Sequence, residues 1–306
     1  MGLPRSLLLA LAMVTSACRS ESRAPGPAPT ELAPADPVVA PRSVPPVCNH
    51  RRPFSDSDKP LVLPPPFDVF EPCDARSTIL EHDHEAAGNL HIDRVHRWDT
   101  GGRTLLAALY YRAEDAEGKL LCETCRVAAH LAVLERRGAS LVLVAGAHDT
   151  WQPAADASVH FNGRADFGAE LPFAAGEVLL AVRTPWSSGA PGTWTNLTLY
   201  RLAGEDVPIV LEYRVDLSAS GKGIEDDDEI MSRIVTEPRA SSPNDVVFTT
   251  TELRCREDYA SLDPAPICRP PKRLGTERWR FEDGRYHRIE GKPAPLPGVL
   301  AKLWGW

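Results

Sequence analysis

The stretch Glu277–Glu290, ERWRFEDGRYHRIE, carries the fold in miniature. At its centre stands Asp283-Gly284, the pair favoured by a two-residue type I′ turn, because both central positions of that turn need a positive φ. Folding the stretch about this pair sets Phe281 opposite Tyr286, Trp279 opposite Arg288 and Glu282 opposite Arg285. The first two pairs share one face, where aromatic contact and an arginine against an indole both favour the sheet. A β-hairpin is the expectation.

Similar text extends in both directions. RTLLAALYYRA (103–113) stops at the polar turn EDAEGK, and AAHLAVLERRGASLVLVAGA (128–147) looks like two strands about RRGA. EVLLAVRTPW (177–186) runs into a Gly/Ser/Pro loop, and WTNLTLYRLAGEDVPIVLEYRVDL (194–217) predicts another hairpin, its turn in AGED. DVVFTTTELRC (245–255) alternates weakly. Val, Leu and aromatic runs broken by Gly, Asp and Pro are the pattern of short strands. No segment shows a sustained helical period with caps. Residues 76–292 are therefore expected to form one all-β, antiparallel globular domain, either a sandwich or a small irregular propeller-like array. A formal net charge of −8 suggests a soluble surface and argues against a nucleic-acid partner.

The start of the chain is of another kind. One basic residue, Arg5, precedes the apolar run SLLLALAMV, which is far shorter than the ~20 residues that span a bilayer. The small residues Thr15, Ser16 and Ala17 follow, and then Cys18. This pattern resembles the lipobox of bacterial lipoprotein precursors. The resemblance covers about the first twenty residues and implies cleavage after Ala17 (signal peptide 1–17) and acylation of Cys18. Arg19 rather than aspartate follows the cysteine, which in Gram-negative members of that family implies export to the outer membrane. The residues TSA also suit the general signal peptidase, so an ordinary secretory signal is the alternative. Several acyl chains, at ~0.8 kcal/mol per buried methylene, would anchor the protein durably in a membrane.

Residues 18–47 carry a proline every few positions and few large apolar groups. They cannot bury enough surface to offset chain entropy, and are expected to form a disordered tether with polyproline II bias. At ~3.1 Å per extended residue such a tether reaches on the order of 80–90 Å. Residues 48–75 remain proline-rich but include Phe54, Leu61, Leu63, Phe67 and Phe70, which suits an extended strap lying on the domain. The tail, residues 293–306, ends with Leu300, Lys302, Trp304 and Trp306 at alternating positions, and is expected to dock on the domain. Terminal aromatics in that pattern are similar to the sorting signal of outer-membrane β-barrels, but a long tether and sparsely apolar strands speak against a barrel.

Seven cysteines are present, an odd number. If Cys18 is acylated, six remain: Cys48, Cys73, Cys122, Cys125, Cys255 and Cys268. An even set in an oxidising compartment points to disulfides, with neighbour pairing the simplest of 15 arrangements. The CxxC at Cys122–Cys125 is followed by strand-like text rather than a helix, and by Arg126 rather than histidine. That fits a local disulfide better than a thioredoxin-like or haem-binding motif. A Cys255–Cys268 bridge would stabilise by roughly 3 kcal/mol on the loop-entropy model.

Candidates for chemistry are few. His82, His84, His91 and His96 crowd one segment, and His82 with His84 on a strand would share a face able to hold zinc or copper. The acidic run Glu225–Glu229 lacks the glycine and spacing of a calcium loop and reads as a solvated turn. Trp151, Trp186 and Trp194 sit beside loops. Exposed indoles there would offer stacking surfaces for a sugar or a partner side chain, with Trp186 and Trp194 as possible ligand contacts. The alternative is that each indole folds back over the core. No nucleophile elbow, zinc-protease motif or phosphate loop appears. The expected protein is a lipid-anchored envelope module that binds envelope glycan or protein without catalysis and without a cofactor. The alternatives are an extracytoplasmic hydrolase and a metal-binding protein using His82 and His84.

Overall fold

A computed structural model describes residues 61–83, 90–112, 129–149, 160–161, 165–187, 192–219, 227–240, 243–256 and 267–294. The chain divides into two units, Met1–Val47 and Cys48–Trp306, and every described residue belongs to the second. The signal segment, the tether, Cys18, Cys48, Phe54, His84, Cys122, Cys125, Trp151 and residues 295–306 of the tail lie outside the described residues.

The fold is all-β and antiparallel. Strands β1 (Leu90–Thr100), β2 (Arg103–Arg112), β3 (Ala129–Arg137) and β4 (Ser140–Asp149) form a four-stranded meander in chain order. The second sheet is built from β5 (His160–Phe161), β6 (Asp166–Phe167), β7 (Leu171–Ala174), β8 (Glu177–Ser187), β9 (Gly192–Tyr200) and β10 (Ile209–Ala219), then β11 (Asp227–Glu237), β12 (Asp245–Arg256), β13 (Ile267–Cys268), β14 (Lys272–Glu282) and β15 (Arg285–Glu290). Its main path runs β15-β14-β12-β11-β10-β9-β8-β5, with β13 on β12 and with β6 and β7 on β8. Neither sheet closes into a barrel.

The hairpin of Glu277–Glu290 forms as its turn chemistry requires. Asp283 has φ 51° and Gly284 φ 84°, and Phe281 pairs with Tyr286, Trp279 with Arg288 and Glu282 with Arg285. The arginine does not settle on the indole. Arg288 Nη1 instead donates to Glu277 Oε2 at 3.2 Å.

Strand alternation places three apolar layers. Leu105, Leu109 and Tyr111 of β2 face Leu180 and Val182 of β8 and Trp194 of β9, so the two sheets stack through a shared core as a sandwich. The Trp98 indole seals this interface by donating to the carbonyl of Val178 at 3.0 Å. The opposite face of β2, with Leu106, Ala108 and Tyr110, packs on Leu61, Leu63, Phe67, Ala75 and Ile79. Two arginines fasten that overlying segment by its carbonyls: Arg97 reaches Pro65 at 3.3 Å and Arg136 reaches Pro66 at 3.0 Å. The third layer lies within the second sheet, where Leu171, Phe173 and Leu199 meet Val246, Phe248 and Tyr286. The long sheet therefore bends until one part of it packs on another.

Two elements differ from the sequence reading, and one strand lies where none was named. A helix, α1 (Pro72–Leu80), spans the expected boundary between strap and domain. Pro72 opens it and Asp74 accepts the Glu71 N–H at 2.8 Å, both favourable at a helix start. Only Ala75 and Ile79 are buried, so a nine-residue helix shows too little apolar period to be recognised. The histidine-rich text is largely strand β1, whose alternation breaks at a bulge between Ile92 and Arg94. The acidic run, from Asp227 onward, is the start of β11 rather than a turn.

Candidate functional site

β10 sets the geometry. It pairs with β9 along most of its length, but with β11 only at Leu217↔Ile230, Ser218↔Glu229 and Ala219↔Asp228. A bulge at Asp216 (φ 50°) lies beside this short ladder, where the partner of Val215 is Thr195 and that of Ser218 is Thr193. The Arg183 guanidinium holds the Asp216 carboxylate. The extra residue sends Val215 into the third apolar layer and Leu217 into the first. Away from the three pairs the strands part, and a cavity of about 410 Å³ occupies the split. That volume lies within the range of small-ligand sites.

β10 lines the cavity from both of its faces, with Glu212 and Arg214 on one and Tyr213 on the other. Across from them stand Ser232 of β11, Thr250 of β12 and Trp279 of β14. The Tyr213 hydroxyl donates to Glu277 Oε1 at 2.5 Å and lies within hydrogen-bonding reach of Thr250, whose own hydroxyl is 3.3 Å from that of Ser232. With Arg288 on its second oxygen, Glu277 is only 2 % exposed yet is engaged at both oxygens. Burial first, and the Glu277 carboxylate second, hold the Tyr213 phenol well above the usual range. Tyr213 therefore remains a donor.

Aromatic packing fixes the wall. Tyr213 stacks on Phe248 at 3.9 Å, and Trp279 meets both edge-on at 5.8 and 6.2 Å. The Trp279 Nε1 is buried and has no hydrogen-bond partner among the described residues. Arg214 lies 5.5 Å over the Trp194 ring, and burial lowers the pKa of its guanidinium. The floor is completed by Pro293 and Ala294, which reach the cavity because the chain turns at Gly291 (φ 82°).

Among the described residues, the candidates singled out in the sequence for ligand or metal binding do not line this cavity. Trp194 does not present an exposed indole: it is 4 % exposed and part of the core between the sheets. Trp186 stands opposite it in the β8–β9 ladder, and its side chain lies outside the described residues. His82 follows α1 in a turn instead of lying on a strand, its Nδ1 3.0 Å from the Thr78 carbonyl. His96 pairs with Glu170 at 2.9 Å and stacks on Phe167. Among the described residues no three His, Cys, Asp or Glu side chains gather in a metal-binding arrangement. Cys255 and Cys268 form a disulfide between β12 and β13. Cys73 is also disulfide-bonded.

Within the site, the facing of Trp279 and Arg288 was legible from the hairpin register. The contribution of Tyr213 was not, because it joins Glu277 across 64 positions of sequence. Its only signal was an aromatic on an apolar strand. No protein-family model, curated protein or solved structure matches the chain.

Proposed function

We propose that this protein is a lipid-anchored component of the bacterial cell envelope, held at the outer membrane by an acylated Cys18, with a β domain that binds envelope glycan or protein without catalysis. The bound group occupies the cavity between β10 and β11. One observation carries the binding reading: a small-ligand-sized cavity that joins an aromatic wall to polar groups already fixed by one another. Tyr213 and Arg288 fix the Glu277 carboxylate in place, which suits holding a ligand. Among the described residues two arginines and two glutamates line the cavity, and their balanced charges favour a neutral polar ligand. The anchoring reading rests on the lipobox-like residues before Cys18 and on the surplus cysteine.

Calorimetric titration of the native protein with defined oligosaccharides and peptides of the bacterial envelope tests the binding. Saturable binding that is weakened by Trp279→Ala supports the cavity as its seat, whereas binding indifferent to that change places it elsewhere. Release of reducing ends during the titration would make the protein a hydrolase. Mass analysis and membrane fractionation test the anchor: Cys18→Ser should remove the acyl chains and release the protein from the membrane fraction.

A further inference from the structure

We infer that the cavity takes a saccharide ring with adjacent hydroxyls, recognised by the indole N–H of Trp279 together with the carboxylate of Glu277. This rests on the cavity being the binding site and names its ligand class.

Glu277 and Trp279 are two residues apart on β14, so they project from the same face of the strand, and both line the cavity. They offer opposite hydrogen-bonding characters. Trp279 Nε1 is a donor only, buried and without a partner among the described residues. A buried donor left in that state is disfavoured until an acceptor arrives. Glu277 accepts the Tyr213 hydroxyl at 2.5 Å and Arg288 at 3.2 Å. A carboxylate has about four lone-pair positions, so roughly two remain for a ligand.

A hydroxyl both accepts and donates. Two neighbouring hydroxyls on one ring can therefore take the indole proton and return one to the carboxylate. A peptide strand can meet the same pair with one C=O and one N–H, so the preference for a sugar rests on the rest of the lining. Among the described lining residues, Glu212 and Glu277 balance Arg214 and Arg288, which gives no net preference for an ion. Ser232 and Thr250 add further hydroxyl partners, and the Tyr213 and Trp279 rings suit the C–H faces of a pyranose.

The test is a calorimetric titration of the full chain with chitobiose, cellobiose and maltose, and with trialanine as a peptide probe, alongside the indole N–H resonance of Trp279. At least one disaccharide is expected to bind and to shift that resonance. Trp279→Phe, which keeps an aromatic ring and loses the N–H, should weaken binding about tenfold, the usual scale of one hydrogen bond to a neutral partner. Unchanged affinity in Trp279→Phe, with the native fold verified by its melting temperature, overturns the inference. Trialanine binding that shifts the Trp279 resonance while no sugar binds also overturns it, but leaves the cavity as the site. If no probe binds and the resonance does not move, both the ligand class and the site fall.

Discussion

Tyr213 on β10 and Glu277 on β14 meet at 2.5 Å across the cavity, tying together two strands that are not neighbours in the sheet. The contact braces the bend of the long sheet at the point where β10 and β11 have parted. Tyr213→Phe keeps the stacking on Phe248 and removes only the hydroxyl. Glu277 then keeps Arg288 alone, and a buried acceptor that loses a partner costs about 1–3 kcal/mol. Urea denaturation should report that loss. A variant as stable as the parent would mean that the brace is incidental to the fold.

The same tyrosine predicts a limit at alkaline pH. Tyr213 and Tyr286 both have phenols held above the ordinary value, chiefly by burial, with Glu277 adding for the first and Asp245 for the second. A raised folded-state pKa means that the unfolded chain loses these protons first as pH rises. Their contribution is then complete below about pH 10, the ordinary tyrosine value, and is progressively lost above it. Melting temperatures measured from pH 8 to 11 should fall at the alkaline end. Tyr213→Phe and Tyr286→Phe should each flatten that fall, even where they lower stability at neutral pH.

Trp194 separates two roles that sequence alone left open. Its indole lies in the core between the sheets, with Arg214 over its face. Trp194→Ala should therefore cost about 3–5 kcal/mol through lost burial and the void left behind. An effect on ligand binding with stability untouched would contradict that placement.

The strands with clear turns were readable because their information is local. Gly284 and Gly138 mark turns of two residues, and the register of the hairpin Trp279–Arg288 follows by counting. Strand β1 was hidden because its exposed positions, Arg97 and Asp99, are charged and a bulge interrupts its alternation, and β11 because it starts on an acidic run. The cavity was illegible for a different reason. It depends on how few residues of β10 pair with β11, and on one bulge at Asp216. Asp216 adopts a positive φ that aspartate tolerates but does not announce. Trp194 illustrates the converse: proximity to a Gly/Pro loop says nothing about which face of a strand an indole takes.

The buried Asp245 predicts a local electrostatic dependence. It is 2 % exposed and accepts Arg280 through both oxygens at 3.3 Å, with Arg278 at 3.6 Å and Arg239 at 3.8 Å. Asp245→Ala takes this carboxylate from Arg239 and Arg280, while Arg278 keeps Glu237 and Glu290. Because the guanidinium groups stay partly in solvent, the loss should be about 1–3 kcal/mol, the scale of hydrogen bonds to a charged group. Asp245→Asn, which keeps the shape, should cost less. Equal losses in the two variants, by thermal denaturation, would assign the effect to packing.

The last prediction concerns how the cavity acquires its floor. Gly284 and Gly291 both adopt positive φ, at 84° and 82°, but only one is crowded. A Cβ at Gly284 would meet nothing within 4 Å, whereas one at Gly291 would stand 2.1 Å from the Thr276 carbonyl oxygen. Gly284→Ala thus adds backbone strain alone, about 1–3 kcal/mol. Gly291→Ala adds similar strain and also a collision with the backbone of β14, so the segment carrying Pro293 and Ala294 must move. The Gly291 variant should lose more stability than the Gly284 variant, and it alone should alter the environment of the Trp279 indole. Equal melting temperatures together with an unchanged indole resonance would show that the residues after β15 do not help to form the cavity.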